Sequence, residues 1–199
     1  MSQIGFDLEG VKEEEPSDDL GHGTALGSLI RMVAPEAGID SLRVMRRGER
    51  LAESSVLINA VNAAINQAGR YHIVTIAFRA SISASALGQR DGLSMILDHT
   101  RLGRLPSPVV VCAAGNDGPQ QKMDYPAIVP GVVVATALDW LGRVASYNCA
   151  PPSGVDVCAV SAPGGVPGDP LGTLTRARRT EELWGSSFAA ALISAALAS

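Results

Sequence analysis

Three short runs of this 199-residue chain contain side chains that could together cleave an acyl bond. Ser187 follows Gly185 and Ser186 at the start of an alanine-rich helical segment, and its hydroxyl is a candidate nucleophile. Far upstream, His22 lies between two glycines, and Asn116 comes just after an apolar strand midway along the chain. Acyl transfer requires a nucleophile, a base that takes its proton and a donor that stabilises the oxyanion. Ser187, His22 and Asn116 have the chemistry for these three roles.

Each of these runs has an ordinary structural interpretation when it is taken alone. A serine at a helix start usually caps the helix, and glycine and asparagine are common in turns. The catalytic interpretation depends on their combination: His22 precedes Asn116 by 94 positions, and Asn116 precedes Ser187 by 71. The other two histidines fit structural positions, because His72 begins a predicted strand and His99 lies late in a predicted helix. His22 is therefore the candidate base.

Apolar strands and helices alternate along the first two thirds of the sequence and must position these side chains. Strands are predicted at residues 3–6, 39–45, 72–78, 109–114, 132–137 and 155–160, and helices at 24–32, 52–68, 87–102 and from Ser186 or Ser187 onward. This alternation predicts an α/β fold with a mainly parallel central sheet and helices on both faces. Ligands collect at the carboxyl ends of the strands in such sheets, and Asn116 follows one of these ends. His22 and Ser187 each lie at a predicted helix start.

The composition limits the classes of protein to which the chain can belong. Hydrophobic residues make up 46% of it and charged residues 18%, which provides enough apolar surface for a folded core. The net charge of −4 and the lack of a basic stripe with interleaved aromatics argue against nucleic acid as a partner. No apolar run approaches the roughly 18 residues of a membrane span, so no membrane association is predicted.

The N-terminus and the cysteines bear on the compartment. The N-terminus lacks the basic and apolar regions of a signal peptide, and three scattered cysteines are too few for a disulfide framework. Cys112 is predicted to be a small buried hydrophobe, and Cys149 and Cys158 to be unpaired thiols. These features predict a cytoplasmic protein, or a domain excised from a larger one.

The three runs also resemble the motifs of the subtilases, the subtilisin-like serine peptidases. They read Gly-His-Gly-Thr at 21–24, Ala-Ala-Gly-Asn-Asp-Gly at 113–118 and Leu-Trp-Gly-Ser-Ser-Phe-Ala-Ala at 183–190. Further similar segments are Val-Ala-Pro at 33–35, Tyr-Pro-Ala at 125–127, Val-Ala-Ser-Tyr at 144–147 and Ala-Pro-Gly at 162–164. The likeness covers about residues 21 to 198, with the histidine before the serine as in subtilisin.

The resemblance implies a subtilisin-like fold in a single peptidase domain over residues 1–199, with hydrolysis of peptide bonds through an acyl-enzyme. It gives Ser187 the role of nucleophile and His22 that of base, and the Asn116 amide and the Ser187 N–H hold the oxyanion. The implied partner is a polypeptide substrate; no cofactor and no metal ion is implied, and the oligomeric state stays open. The substrate is expected to lie along two strand ends, formed by Ala77, Phe78 and Arg79 and by Ala114 and Gly115.

In the family, a carboxylate that orients the histidine completes a catalytic triad with the serine and the histidine. The resemblance is weakest at this third residue. The family places an aspartate at the end of its first central strand, followed by Ser or Thr and then Gly. Asp7 ends the first predicted strand, but residues 8–10 read Leu-Glu-Gly. Asp18 and Asp19 are rivals that lie nearer to the histidine in the sequence. Asp7 is the preferred residue because its strand position suits a carboxylate that orients the imidazole from behind.

Two other departures from the family pattern bear on function. Arg79 stands where the family usually has glycine, so it is expected either to narrow the substrate cleft or to favour an acidic substrate residue. The chain ends 12 residues after Ser187, where family members usually continue, which leaves a C-terminal truncation or a minimal variant open.

The main alternative function is that of an inactive subtilase-like domain that binds proteins. Two departures from the family pattern favour this alternative: the unusual residues that follow Asp7, and Arg79 in the place of a glycine. The joint presence of Ser187, His22 and Asn116 opposes it, because a binding scaffold needs none of the three. A hydrolase of the nucleophile-elbow type is excluded, since Ser187 lacks the Gly-x-Ser-x-Gly frame and no histidine follows it.

Overall fold

The computed structural model describes residues 2–6, 12–13, 18, 21–45, 52–66, 70–81, 92–103, 108–153, 158–176 and 179–199. Its elements in chain order are β1 (Ser2–Phe6), β2 (Lys12–Glu13), α1 (His22–Val33), β3 (Asp40–Arg43), β4 (Ala52–Glu53), α2 (Ser54–Ile65), β5 (Ile73–Ile76), β6 (Ala80–Ser81), α3 (Gly92–Arg101), β7 (Val109–Ala113), β8 (Val133–Leu138), β9 (Cys158–Pro163), β10 (Gly172–Arg176), β11 (Arg179–Leu183) and α4 (Ser186–Ala198). Strands β5, β7, β8 and β9 form a parallel sheet in that order.

The parallel sheet consists of apolar runs that the sequence predicts as buried strands. In β7, Val110, Val111 and Cys112 are almost fully buried. In register, Ile76 of β5 pairs with Cys112, and Cys112 pairs with Val134 of β8. Parallel strands that are covered on both faces need such a continuous apolar sequence. Because β5 and β7 run in the same direction, the residues that follow them leave the sheet at the same edge.

Helices cover both faces of the parallel sheet. Successive side chains of a strand point to opposite faces. Val110 and Cys112 belong to an apolar cluster with side chains of α2 and α3, whereas Val111 belongs to a second cluster with Ala190 of α4. Helices α2 and α3 therefore lie on one side and α4 on the other, which is the arrangement that the sequence predicts.

The alanine-rich helix α4 lies directly against the sheet, because its small side chains allow a close approach. Ala189 and Ala190 are fully buried in this contact. Phe188 and Ala191 pack instead against the apolar side chains of α1. This packing brings the first turn of α1 next to the first turn of α4.

The remaining described strands form smaller sheets. Strand β1 pairs in parallel with β3 and antiparallel with β2, and β4 pairs in parallel with β6. Strands β10 and β11 form an antiparallel hairpin. The sequence does not predict this hairpin, because its strands are rich in charged residues and threonine and lack the apolar runs of the central strands.

Most predicted elements are present with shifted boundaries. Helix α1 begins at His22, two residues earlier than predicted, and Ala52–Glu53 forms β4 rather than the start of a helix. Helix α2 ends at Ile65 and α3 begins at Gly92. The predicted helical positions 67–68 and 87–91 and the predicted strand positions 155–157 lie outside the described residues.

The cysteines are free thiols, of which Cys112 and Cys149 are buried and Cys158 is exposed. Burial raises the pKa of the Cys112 thiol, so that it stays protonated and packs as a small apolar side chain. Among the helices of the described residues, none is both long and apolar enough to cross a membrane.

Candidate active site

His22 is the first residue of α1, and a capped helix start holds it in place. Gly21 precedes it with a φ of 73°, in the left-handed region that favours glycine. Asp18 Oδ1 accepts a hydrogen bond from the Gly21 N–H at 2.8 Å, and its Oδ2 accepts from the N–H and Oγ1 of Thr24 at 2.6 and 2.7 Å. The carboxylate thus satisfies backbone donors that lack partners within the helix, and it fixes the backbone from which His22 projects.

Ser187 is the second residue of α4 and is held between this helix start and the end of β5. Only 8% of the residue is exposed, and its Oγ donates to the carbonyl oxygen of Ala77 at 2.9 Å. The preceding Gly185 has a φ of 131°, which other residues rarely adopt. The Gly185 N–H donates to the carbonyl of Gly164 at 2.8 Å. The start of α4 is therefore fixed on both sides of the candidate nucleophile.

Asn116 follows β7, and Ser186 binds the oxygen atom of its side-chain amide. Asn116 Oδ1 accepts hydrogen bonds from the N–H of Ser186 at 2.9 Å and from its Oγ at 2.8 Å. The same hydroxyl accepts from the Gly115 N–H at 3.0 Å. Within the described part of the chain, Nδ2 of Asn116 has no hydrogen-bond partner. The amide N–H groups are thus available to a ligand beside Ser187.

Two glycines allow this close approach of the β7 end and the α4 start. A Cβ at Gly185 would lie 2.7 Å from Nδ2 of Asn116, and a Cβ at Gly115 would lie 2.8 Å from Sγ of Cys149. Both distances are too short for a real side chain. The amide of Asn116 therefore packs against the N-terminus of α4, where the helix dipole and free N–H groups favour negative charge.

His22 lies beside the start of α4, near the Ala77 carbonyl to which Ser187 donates. The ring packs edge-on against Phe188, with ring centroids 5.6 Å apart. Burial lowers the pKa of His22 from its ordinary value of 6.5, against the opposing effects of the Asp18 carboxylate and the Ala77 carbonyl. The imidazole is therefore neutral at neutral pH, the state in which it can accept a proton.

The residues expected to contact the substrate lie just after β5 and β7, on either side of Ser187. Phe78 packs partly buried against the apolar cluster beneath the sheet. Ala114 is buried, and its N–H donates to the carbonyl of Ala135 at 3.0 Å. Arg79 is exposed at the strand end, and its Nη1 lies 2.7 Å from Oδ2 of Asp117.

The acid of the triad stays a prediction, because Asp7 and Asp19 lie outside the described residues. The described strand β1 ends at Phe6, the residue before Asp7. Asp18 binds the start of α1 with both carboxylate oxygens, a role that its position shortly before a helix would have indicated. In the described ranges, no three His, Cys, Asp or Glu side chains are grouped so as to hold a metal ion.

Sequence reasoning did not assign three residues that support the site. Ser186 holds the oxyanion amide, Asp117 pairs with Arg79, and Tyr147 donates its hydroxyl to the carbonyl of Gly165 at 2.7 Å. Burial raises the pKa of Tyr147 to about 12, so its hydroxyl remains a donor. The serine doublet at the helix start was the available signal for the first of these roles. The other two depend on contacts between distant segments and leave no local pattern.

Comparison with known proteins gives a family match over nearly the whole chain. The profile of the Subtilase family matches residues 7–199. Two curated relatives are the major intracellular serine protease of Bacillus subtilis (strain 168), 25% identical over 205 residues, and the thermostable alkaline protease of Halalkalibacterium halodurans (strain C-125), 30% identical over 161 residues. The alignments cover 96% and 75% of this chain but 58% and 40% of the two relatives. The chain therefore spans little more than half the length of the first relative.

Solved structures of similar fold include two that cover almost the whole chain. The prenylagaramide maturation protease PagA matches with a TM-score of 0.72 at 20% identity, over 99% of this chain and 66% of that chain. The nisin leader peptidase NisP from Lactococcus lactis matches with a TM-score of 0.72 at 19% identity, over all of this chain and 70% of that chain. At these identities the likeness shows the fold alone, and it confirms the predicted subtilisin-like α/β fold.

Proposed function

This chain belongs to the Subtilase family, and on that basis we propose that it is a serine-type endopeptidase acting on a polypeptide substrate. The observation that carries the proposal is that the start of α4 contacts the end of β5, the end of β7 and the first residue of α1. Ser186 fixes the Asn116 amide at the start of α4, Ser187 donates to Ala77 after β5, and His22 of α1 packs on Phe188 of α4. A nucleophile, a neutral base and an oriented donor lie together at one edge of the sheet, which supports acyl transfer.

In the proposed mechanism, the Ser187 hydroxyl turns from the Ala77 carbonyl towards His22. His22 takes the proton as Oγ attacks the carbonyl carbon of the substrate. The tetrahedral intermediate carries its negative charge on the former carbonyl oxygen, to which Asn116 Nδ2 and the Ser187 N–H donate. As the C–N bond breaks, His22 protonates the leaving amine and an ester remains on Ser187. Water then hydrolyses this ester, with His22 again as base.

Within this proposal, Asp7 orients His22 and stabilises the imidazolium. Two observations support this role. Asp7 directly follows β1 in the sequence, and both carboxylate oxygens of Asp18 already accept hydrogen bonds at the start of α1. Asp7→Asn should lower turnover by about 10⁴-fold, the size of effect that loss of the orienting carboxylate has in other serine peptidases. Asp18→Asn keeps one of the two acceptor oxygens at the start of α1, so the variant should lose stability but keep most of its activity when folded. The opposite result would transfer the role to Asp18.

The proposed substrate class is a polypeptide, and the proposal includes the processing of a precursor peptide. Two proteins of the same fold are described as a maturation protease and a leader peptidase, and the curated relatives are described as proteases. These names favour cleavage of a peptide bond within a chain. The proposal covers both limited processing and general degradation.

Labelling with a fluorophosphonate probe, followed by mapping of the labelled peptide, tests the proposal. The probe should modify Ser187 and leave the neighbouring Ser186 unmodified, because both polar atoms of Ser186 are engaged by Gly115 and Asn116. Ser187→Ala should abolish labelling, whereas Ser28→Ala, a serine on the exposed face of α1, should leave it unchanged. Labelling that survives Ser187→Ala would refute the assignment. A folded wild type that is neither labelled nor cleaves peptides would favour an inactive binding domain.

A further inference from the structure

Two segments continue beyond the edge of the parallel sheet and border the candidate nucleophile. The last register pair of β5 and β7 joins Ile76 to Cys112, after which the chain continues as segments 77–79 and 113–117. The first segment holds Ser187 through the Ala77 carbonyl, and the second carries the oxyanion amide. A scissile carbonyl bound between the serine and the amide places the substrate residue that supplies it over the gap between these segments.

An ion pair spans this gap. Arg79 Nη1 lies 2.7 Å from Asp117 Oδ2, and the two side chains are 44% and 42% exposed. Oδ2 also lies 4.0 Å from Sγ of Cys149, whose N–H donates to the carbonyl of Gly115 in the same segment. The carboxylate thus lies beside Cys149, while the arginine reaches it from the segment that follows β5. We call this pair the Arg79–Asp117 bridge.

We propose that the Arg79–Asp117 bridge restricts the peptidase to substrates with a small, uncharged side chain directly before the cleaved bond. This inference rests on the proposed function and specifies its substrate class. The arginine side chain fills part of a gap that a glycine at position 79 would leave open. A large substrate side chain would have to break the bridge or displace it into solvent.

The bridge also cancels the charge preference that an isolated arginine would give. An acidic substrate side chain that binds Arg79 must share the guanidinium with Asp117 or displace it, and in both cases it lies beside the Asp117 carboxylate. A basic side chain that binds Asp117 displaces Arg79 with the opposite consequence. Like charges at short range oppose both exchanges. Of the two effects that the sequence suggests for Arg79, the ion pair favours narrowing of the cleft.

A peptide library that varies the residue before the cleaved bond tests the inference, with wild type, Arg79→Ala, Asp117→Asn and the double variant. Wild type should cleave best after alanine, serine or glycine. Arg79→Ala should raise kcat/KM for leucine and phenylalanine by about tenfold and favour lysine over glutamate by about fivefold, because it opens the gap and uncovers Asp117. Asp117→Asn should shift the charge preference towards glutamate. The double variant should keep the gain for large apolar residues without a charge preference.

Arg70→Ala is the matched control. Arg70 pairs with Asp40 at 2.7 Å and precedes β5, whereas Arg79 follows the same strand. Its library profile and its rate of reaction with a small fluorophosphonate should both equal those of wild type. If wild type is labelled but prefers large or charged residues, or if Arg79→Ala leaves the profile unchanged, the bridge has no such role and the proposed function stands. If wild type is neither labelled nor active, both proposals fail.

Discussion

At the residue scale, the protonation state of His22 determines when the proposed chemistry can run. Burial lowers its pKa below 6.5, and the Asp18 carboxylate and Ala77 carbonyl oppose this effect without reversing it. Only the neutral imidazole accepts the proton of Ser187, so kcat/KM should rise with pH through an apparent pKa below 6.5 and level off above it. Measurement of kcat/KM against pH with an uncharged peptide checks this prediction.

The Asp18→Asn variant supplies the internal control for this pH profile. Asparagine keeps only one of the two oxygens that bind the Gly21 and Thr24 N–H groups, so the profile is measured under conditions in which the variant is fully folded. Because the negative charge that raises the pKa of His22 is removed, the acid limb of kcat/KM should move to lower pH than in wild type. A wild-type acid limb at or above pH 6.5 would contradict the prediction and show that neighbouring carboxylates, the proposed Asp7 among them, outweigh burial.

The Asn116 amide is expected to act mainly in the transition state. Asn116→Ala should lower turnover by about 10²–10³-fold, the range known for the corresponding donor in subtilisin, and leave KM nearly unchanged. In the proposed mechanism, Nδ2 donates to a charge that develops on the substrate carbonyl oxygen only in the transition state. Asn66→Ala, which removes an exposed asparagine after α2, should leave turnover unchanged. If Asn116→Ala retains the turnover of the wild type, Asn116 has no role in the mechanism.

The chemical roles of individual residues can be predicted in part from the sequence. Ser187, His22 and Asn116 could be singled out because acyl transfer needs their side-chain types. In the structure, Asn116 binds Ser186 and His22 packs on Phe188, the two neighbours of Ser187 in the sequence. The partner of Arg79 could not be predicted, because the ion pair joins two loops that are distant in the chain. Asp7 remains a prediction at this scale.

At the element scale, the start of α4 must place a nucleophile and make room for an amide, and Gly185 meets both requirements. A Cβ at this position would lie 2.7 Å from Asn116 Nδ2, and the φ of 131° is unfavourable for alanine. Gly185→Ala should therefore destabilise the fold by about 1–3 kcal/mol and also reduce turnover strongly. Denaturant unfolding and peptide hydrolysis measure the two effects.

Gly142→Ala separates backbone strain from displacement of the amide. Gly142 also has a positive φ, of 75°, but a Cβ there would meet nothing within 4 Å. This variant should lose stability and keep its turnover. If both variants lose stability and neither loses turnover, the contact between Gly185 and Asn116 has no catalytic consequence.

The elements that could be predicted are those that the core requires. Strands β5, β7 and β8 are continuous apolar runs, and a buried parallel strand needs such a run whatever its surroundings. The β10–β11 hairpin lacks this signal, since its pairing depends on a turn and on cross-strand contacts of polar side chains. The early start of α1 depends on Asp18, which caps the helix from outside the predicted element.

At the scale of the whole molecule, one buried helix joins the sheet to the element that carries the base. Helix α4 packs on the parallel sheet through residues such as Ala190, and on α1 through Phe188 and Ala191. A hydrogen bond of 2.8 Å between Thr75 of β5 and Ser194 of α4 adds a polar link. The relative position of nucleophile, base and oxyanion donor therefore depends on how closely α4 approaches the sheet. The alanine-rich sequence of α4 predicts this close approach, because small side chains allow a helix to pack closely on a sheet.

Overpacking beneath α4 tests that dependence. Ala190 has no exposed surface, so Ala190→Leu should force the helix away from the sheet and lower the free energy of unfolding by about 1–3 kcal/mol. Because Ser187 lies on the same helix, labelling by a fluorophosphonate should slow as well, even under conditions in which the variant is fully folded. Ala196→Leu makes the same substitution at an exposed position of α4 and should change stability by less than about 0.5 kcal/mol, with unaltered labelling. Equal behaviour of the two variants would show that the sheet tolerates a larger side chain there, and that the site does not depend on the close packing of α4.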